Sequence, residues 1–148
     1  MLNPPILQVL VPGPFPQALE YLVPNTWLVL PPIGARVKVP LRKQQVTGIV
    51  IAYARDSHTP AHKLRWAEQQ IDEEAILTQH DLVFLKWLAE YYHAPFGEMC
   101  FQALPPLLRH GHPTTGLAQL RALKLTAAGL QLEPHAFKRA PKQYELWK

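Results

Sequence analysis

The chain has 148 residues, of which 48% are hydrophobic and 18% charged, and its formal net charge is +4; this composition is typical of a folded globular protein and argues against disorder. No stretch approaches the roughly 18 apolar residues of a membrane helix. The apolar run at residues 6–11 has no basic residue before it and is too short for a secretion signal. A single cysteine, Cys100, cannot form an internal disulfide, and no CxxC pair is present for zinc. Together with the lack of a secretion signal, this predicts a cytoplasmic protein. Because no membrane helix is predicted, we expect no membrane partner.

Charge is distributed unevenly along the chain. Residues 1–66 carry seven basic and two acidic side chains, residues 67–100 carry one basic and seven acidic, and residues 101–148 carry seven basic and two acidic. A basic face next to an acidic one suits a polyanion such as nucleic acid, bound on a defined side. Ordinary solvated surface charge explains the same pattern equally well, so charge alone leaves both interpretations open.

The first 72 residues predict a small barrel of short strands. Nine of the 16 prolines lie between Pro4 and Pro40, which disfavours helices there. In the segment ARVKV, alternation directs two valines to the core and directs Arg36 and Lys38 to water. Gly48 suggests a bulge or a tight bend. Strands are expected at residues 6–11, 18–23, 35–39 and 46–54, with a weaker candidate at 63–71. This pattern indicates a barrel related to the oligonucleotide-binding (OB) barrel.

Helical signals follow the predicted barrel. Thr78 and Asp81 form a capping pattern that predicts a helix ending near Pro95. The aromatic residues of WLAEYYH, at 87–93, could form a base-stacking platform, but aromatic residues at helical spacing usually belong to the core, and we interpret them so. Further elements are expected as a short helix at 97–104, a strand or helix at 117–125, a turn at 126–129, and a helix opened at 141.

The sequence offers little support for catalysis or metal binding. A GxxxxGK[ST] loop is absent. The acidic segment at residues 72–75 resembles a helicase magnesium box but lacks a preceding apolar strand, so it is interpreted as a solvated loop. Cys100 could be combined with His93, or with His110 and His112, but no spacing matches a zinc pattern, and a cysteine between Met and Phe is usually a core residue. We therefore predict no catalytic and no metal-binding residue.

A basic turn gives a stronger signal. The segment LRKQQ at residues 41–45 joins two predicted strands, so its cations and amides can project from the end of a barrel towards phosphates and sugars. Arg65 lies beside Trp66 and pairs a cation with a stacking ring. These features favour a nucleic-acid-binding barrel over an inert basic surface.

Several segments resemble the N-terminal region of the primosomal protein N′ (PriA) family of replication-restart helicases. The matching segments are LEYLVP (19–24), GARVKVPLRKQQ (34–45), TGIV (47–50), WLAEYYHAPFGEMCFQALPPLLRHG (87–111) and FKRAPKQ (137–143). The resemblance implies an α+β fold with a small OB-like β-barrel, a helical subdomain and the start of a winged-helix domain. A 3′-end DNA-binding domain would span residues 1–111, with the barrel over about 1–72 and the helical part over about 73–111. Residues 112–148 would be the truncated start of the winged helix.

The resemblance also implies a function. The domain would recognise the 3′ end of the nascent leading strand at stalled or abandoned replication forks and orient the helicase for replication restart. The family acts as an ATP-dependent 3′ to 5′ helicase through two motor lobes and a cysteine-rich zinc module. This chain lacks those parts, so we expect no enzyme activity from it and expect ATP, Mg²⁺ and Zn²⁺ only in the missing part. The expected partners are fork DNA with a 3′-OH end, single-stranded DNA, single-strand-binding protein and primosomal proteins.

The resemblance assigns a pocket for the 3′-terminal nucleotide to Leu19, Glu20, Arg42 and Arg65. Family members commonly have Phe-Asp in place of Leu19-Glu20, and some have glycine in place of Arg42. A carboxylate at Glu20 can accept a hydrogen bond from a terminal 3′-OH, a donor that an internal phosphodiester lacks. The two arginines would hold the DNA backbone without reading sequence. Further backbone contacts are predicted for Arg36, Lys38, Lys43, Gln44 and Lys63.

Two other functions remain open at this stage. A protein-interaction module for primosome assembly would use the aromatic and basic surface. An enzyme with Cys100 as nucleophile would need a histidine with a carboxylate or amide partner, and the sequence contains no recognisable set of this kind.

Overall fold

The computed structural model describes residues 5–114, 127–131 and 136. The chain divides into two compact units, Met1–Leu117 and Ala118–Lys148. In the second unit the described residues include one short helix, Ala127–Leu130. The elements expected at 117–125 and from 141 onwards lie outside the described residues, and the winged helix stays a prediction.

The first unit combines one sheet with three helices. Its strands are β1 Ile6–Leu10, β2 Leu19–Leu22, β3 Arg36–Leu41, β4 Gln44–Ala54, β5 Arg65–Trp66 and β6 Gln69–Gln70, in the spatial order β5-β2-β1-β4-β3-β6. Neighbouring strands are antiparallel except β2 and β5. A single 3₁₀ turn, Ala61–Lys63, precedes β5, and the helices are α1 Gln79–Tyr92, α2 Phe96–Ala103 and α3 Pro106–Arg109. The predicted α+β class, with strands first and helices after, is confirmed.

The sheet curls so that side chains of β2 and β5 reach the β3 side of the sheet. The hydroxyl of Tyr21 on β2 donates a hydrogen bond to the carbonyl of Pro40 on β3 at 3.1 Å. Next to it, Arg65 Nη1 on β5 donates to the carbonyl of Arg42, in the turn between β3 and β4, at 3.2 Å. The result is an open half-barrel, which confirms the OB-like prediction.

The central strands are buried on both faces, which produces two cores. In β4, Val50 belongs to the core enclosed by the curled sheet, whereas its neighbour Ile49 belongs to a second core beneath α1 and α2. In β1, Val9 and Leu10 divide between the two cores in the same way. Because side chains alternate along a strand, these two strands join the barrel to the helical part.

Gly48 has a different role from the one expected. The register shift in the sheet lies between Gln8 and Val9, and Gly48 pairs regularly with Val37. A Cβ atom at position 48 would overlap the side chain of Val9. The bulge alternative is therefore wrong at this position, the tight bend stays a prediction, and glycine is needed here for close packing between β1 and β4.

Arg36 is buried at the junction of the barrel and the helices. Its Nε and Nη2 atoms donate to the two carboxylate oxygens of Asp72, each at 2.7 Å, and its backbone N–H donates to the same carboxylate at 3.0 Å. Its Nη1 donates to the carbonyls of Leu108 at 2.7 Å and His112 at 2.8 Å. One guanidinium thus connects β3, the segment after β6, and the chain around α3.

Two sequence-based expectations are corrected here. Arg36 does not face water, since its exposed fraction is 0%, because the helical part covers that face of β3. It therefore cannot contact a DNA phosphate in this fold, while Lys38, two residues further along, is half-buried. Asp72 is buried as the partner of Arg36, so only Glu73 and Glu74 form the expected solvated acidic loop.

Helix α1 begins as the sequence predicts. Thr78 Oγ1 accepts from the backbone N–H of Asp81 at 3.2 Å, and the Asp81 carboxylate accepts from the backbone N–H of Thr78 at 2.7 Å. Leu82 and Leu85 on the inner face are buried in the second core. The capping box is confirmed, and the apolar face holds the helix on the sheet.

The aromatic stripe of α1 faces outwards. Phe84 and Trp87 are 56% and 55% exposed, and Tyr91 and Tyr92 are each 65% exposed. The interpretation of the aromatic residues of WLAEYYH as core is wrong, because leucines and Ala89 occupy the inner face of the helix.

The buried ion pair leads to a stability prediction. Asp72→Asn preserves the side-chain shape but leaves the Arg36 guanidinium without a counter-charge, so it should lower the free energy of unfolding by about 3–5 kcal/mol. Urea denaturation measures this loss. The control is Glu73→Gln, at an exposed neighbouring position, which should change stability by less than about 0.5 kcal/mol. Equal stability of the two variants would contradict the role given to the pair.

Candidate functional site

The structure brings together the segments that hold the four predicted pocket residues. Leu19 and Glu20 lie on β2, and β5 pairs with β2 so that Tyr21 is opposite Arg65. The side chain of Arg65 reaches the carbonyl of Arg42. These elements are 20 or more residues apart in sequence, and the curl of the sheet is what places them side by side.

Tyr21 is a residue of this region that the sequence analysis did not single out. Its ring is 4% exposed, and its hydroxyl bonds to Pro40. Burial raises the pKa of Tyr21, and the positive charge of Arg65 opposes part of that rise. Tyr21 therefore joins β2 to β3 at the position where Arg65 pairs with it on β5.

Glu20 is held by a loop that the sequence analysis also missed. Its Oε2 atom accepts hydrogen bonds from the Ser57 hydroxyl at 2.5 Å and from the Thr59 backbone N–H at 3.1 Å. A Ser-x-Thr segment predicts a local turn, but no local signal connects it with a glutamate 37 residues away. The loop of residues 57–59 thus holds the Glu20 carboxylate in place through Oε2.

The surroundings of Glu20 favour its charged form. Partial burial raises the pKa of the carboxyl, but the hydrogen bonds from Ser57, Thr59 and the backbone of His58 outweigh this effect, and the net pKa is lowered. Glu20 is therefore ionised at neutral pH and acts only as a hydrogen-bond acceptor. Leu19, on the opposite side of the strand, packs against the barrel core.

Arg42 has an unusual backbone for a non-glycine residue. Its φ is 57°, in the left-handed region, which costs an L-residue roughly 1–2 kcal/mol relative to right-handed conformations. Glycine, found here in some members of the family that the sequence resembles, adopts this conformation without that cost. The exposed Arg42 side chain is thus retained at a conformational penalty, which favours a role for its charge.

The remaining predicted backbone contacts differ in exposure. Lys43 and Gln44 are exposed in the same turn as Arg42, and Lys63 is exposed in the 3₁₀ turn before β5. Lys38 is half-buried, and its Nζ would lie 3.3 Å from a Cβ added to Gly111. With Arg36 buried, the accessible cations of this set concentrate at the β3–β4 turn and next to β5.

The described residues provide no support for a nucleophile at Cys100. The side chain is fully buried, and burial raises the pKa of its thiol to about 12. A thiol of this pKa stays protonated at neutral pH and is a poor nucleophile.

In the part of the chain that the structure describes, no group of three or more His, Cys, Asp or Glu side chains is placed to hold a metal ion. Within the same part, every helix is too short or too polar to cross a membrane.

The conformation of Arg42 yields a paired prediction. Arg42→Gly removes the left-handed strain, whereas Arg42→Ala keeps it, so the glycine variant should be more stable than the alanine variant by up to about 1 kcal/mol. Both variants lose the same cation and should bind DNA equally weakly. Thermal denaturation and DNA titration measure the two effects separately. Alanine and glycine variants with equal stability would show that the left-handed conformation is not fixed at this position.

Comparison with known proteins identifies the family. Residues 8–105 match the family model of the PriA 3′DNA-binding domain (3′BD). The replication restart protein PriA of Haemophilus influenzae is 34% identical over 142 residues, which cover 95% of this chain and 19% of that protein. PriA of Buchnera aphidicola subsp. Acyrthosiphon pisum is 29% identical over 138 residues, 93% of this chain and 19% of the relative. PriA of Rickettsia felis is 34% identical over 100 residues, 68% of this chain and 15% of the relative.

The chain spans about a fifth or less of the length of these relatives. The family match covers the curled sheet from β1 onwards and extends through α1 and α2. The same region contains the cationic turn, Arg65 and the ionised Glu20. The chain therefore belongs to the PriA 3′DNA-binding domain (3′BD) family, a DNA-binding domain of replication restart proteins.

Proposed function

We propose that this chain recognises the 3′ end of the nascent leading strand at stalled or abandoned forks and so orients a helicase for replication restart. The observation that carries the proposal is Glu20, whose carboxylate is ionised, fixed through one oxygen, and located on the strand next to Arg65. The name of the matching domain family, which refers to the 3′ end, agrees with this assignment.

The proposed chemistry separates a chain end from an internal position. A terminal 3′-OH donates a hydrogen bond to the carboxylate of Glu20, whereas an internal phosphodiester has no hydrogen to donate and brings a negative charge close to the carboxylate. Arg65, already oriented by the Arg42 carbonyl, contacts the backbone phosphate together with the Arg42 side chain. Phosphate contacts fix position without reading base sequence.

The activity of a whole helicase is a further part of the proposal. The relatives are about five times longer than this chain, and ATP-dependent 3′ to 5′ unwinding, with its ATP, Mg²⁺ and Zn²⁺, is assigned to regions that this chain does not contain. The chain itself is proposed to act as a binding domain, with its 3′-end domain over residues 1–111 and the start of a winged helix over 112–148.

Substitution of Glu20 tests the terminal pocket. Glu20→Ala removes a hydrogen bond to a charged group, worth roughly 1.5–3 kcal/mol, so binding to a fork with a 3′-OH should weaken about 10- to 150-fold. Binding to the same fork with a 3′-phosphate should change little or improve, because a repulsion between like charges is removed. Fluorescence anisotropy with both forks measures the ratio.

Two control variants sharpen this test. Glu20→Gln keeps an acceptor of the same size without the charge, so it should retain part of the 3′-OH binding and lose most of the discrimination against phosphate. Arg65→Ala should weaken both forks together. Equal losses for both forks in Glu20→Ala would contradict the pocket assignment and leave DNA binding by the domain intact.

Salt dependence tests the phosphate contacts. If the exposed and half-buried cations neutralise about three to five phosphates, the logarithm of the binding constant should fall with the logarithm of salt concentration at a slope of about −2 to −4. Lys43→Ala should reduce the magnitude of that slope by about 1. A flat response would favour protein docking over DNA binding as the role of the basic surface.

A second candidate function, protein docking, is supported by the aromatic side of α1. The rings of Phe84 and Trp87 stack with centroids 6.0 Å apart, and those of Trp87 and Tyr91 stack at 5.5 Å. More than half of each of these side chains is exposed, and exposed aromatic clusters are typical of interaction sites. Single-strand-binding protein and primosomal proteins are the proposed partners of this surface.

Trp87→Ala distinguishes the two surfaces. Because the side chain is exposed, the variant should remain folded and bind a 3′-OH fork as the wild type does. It should weaken binding to single-strand-binding protein by about 30-fold or more, the effect of losing a central aromatic contact. Isothermal titration calorimetry against each partner measures both affinities. Loss of fork binding in a folded Trp87→Ala variant would instead place this helix on the DNA.

A further inference from the structure

A cavity of about 540 Å³ lies beside the terminal pocket. One wall is the turn of residues 12–15, which follows β1, and the other is the β3–β4 turn from Leu41 to Gln44 together with Val46. Leu19, Glu20 and Arg65 do not line it. Its volume falls in the range of roughly 300–1,000 Å³ that is typical of small-molecule sites, and the assigned terminal pocket does not account for it.

The first wall presents a fixed aromatic ring. Gly13 has a φ of 122°, and a Cβ at this position would lie 3.0 Å from the Phe15 ring. The backbone N–H of Phe15 donates to the Gly13 carbonyl at 2.8 Å, which closes the turn. Phe15 is half-buried and packs against the barrel core. The ring is therefore held at the cavity as a rigid apolar surface suited to stacking a base.

The second wall presents positive charge. Arg42 and Lys43 are exposed and line the cavity together with the amide of Gln44, and none of the lining residues is acidic. A purely apolar ligand would leave both cations unused, and an inorganic anion would leave the Phe15 ring unused. A nucleotide uses all of these groups, because it combines a flat base, polar base edges and a phosphate.

Arg42 connects this cavity with the terminal pocket. Its side chain lines the cavity, and its carbonyl accepts the hydrogen bond from Arg65. We propose that the cavity binds the nucleotide adjacent to the 3′-terminal one, with its base against Phe15 and its phosphate against Arg42 and Lys43. This inference rests on the proposed function, since the terminal nucleotide in its pocket sets which nucleotide reaches the cavity.

The test uses the 148-residue chain and oligonucleotides that end in a free 3′-OH. One oligonucleotide is intact, and two carry an abasic residue at the second or third position from the 3′ end. For the wild type, the abasic residue at the second position should weaken binding roughly 5- to 150-fold, the loss of one base–aromatic stack. Phe15→Leu keeps most of the apolar volume but removes the aromatic ring. This variant should bind the intact oligonucleotide more weakly than the wild type does. Its affinity should fall little further when the second position is abasic.

A matched control is available on another element. Phe84→Leu replaces an exposed aromatic residue of α1 that does not line this cavity, and it should keep the full abasic loss of the wild type. A second variant, Lys43→Glu, places a carboxylate on the rim of the cavity. It should weaken binding at least tenfold while leaving the ratio of 3′-OH to 3′-phosphate binding as it is in the wild type.

The outcomes separate this inference from the proposed function. If folded Phe15→Leu shows the same abasic loss as the wild type, or if the loss occurs at the third position, the assignment of the neighbouring nucleotide is wrong. Unchanged binding by Lys43→Glu would contradict the phosphate contact that both the proposed function and this inference assign to Lys43. The preference of the wild type for 3′-OH over 3′-phosphate is measured independently of Phe15. If that preference is absent but the Phe15-dependent abasic loss is present, the terminal pocket is wrong and the base site is supported. If the preference is present but the abasic loss does not depend on Phe15, the base site is wrong and the terminal pocket is supported.

Discussion

The buried pair of Arg36 and Asp72 is the interaction on which the assembly of the domain depends. A guanidinium without access to water is tolerable only when its charge and its donors are satisfied, because an unpaired buried ion costs several kcal/mol. Here the partners come from the segment after β6 and from the carbonyls of Leu108 and His112. The half-barrel and the helical part are therefore tied together by one side chain, in addition to the apolar core that they share.

This constraint also shapes the proposed DNA-binding surface. With Arg36 committed to the interior, the accessible cations among the predicted DNA contacts lie at the β3–β4 turn and next to β5, where Arg65 is bonded to the Arg42 carbonyl. Glu20 introduces a negative charge into this basic region, and in the proposed function its ionised carboxylate distinguishes a hydroxyl from a phosphate. A uniformly basic surface would attract DNA but would not favour its end.

The two faces of α1 differ in exposure although both carry apolar side chains. Leucines and Ala89 hold the helix on the sheet, whereas the aromatic side chains stack on one another in contact with solvent. Periodicity in the sequence shows that a helix is amphipathic, but here both faces carry apolar residues. The choice of buried face was decided by packing against Ile49 and Leu10 of the sheet, which helical periodicity alone does not encode.

The sequence by itself determined the features that depend on local interactions or on family likeness. The strand positions, the capping box at Thr78 and the OB-like class follow from alternation, caps and turn residues that act within a few positions. Only the tertiary structure decided the burial of Arg36, whose alternation pattern predicted exposure, and the contact of Ser57 with Glu20 across 37 residues. The reason is physical: local patterns fix backbone geometry, whereas partners distant in sequence are chosen by how the sheet curls and what packs on it.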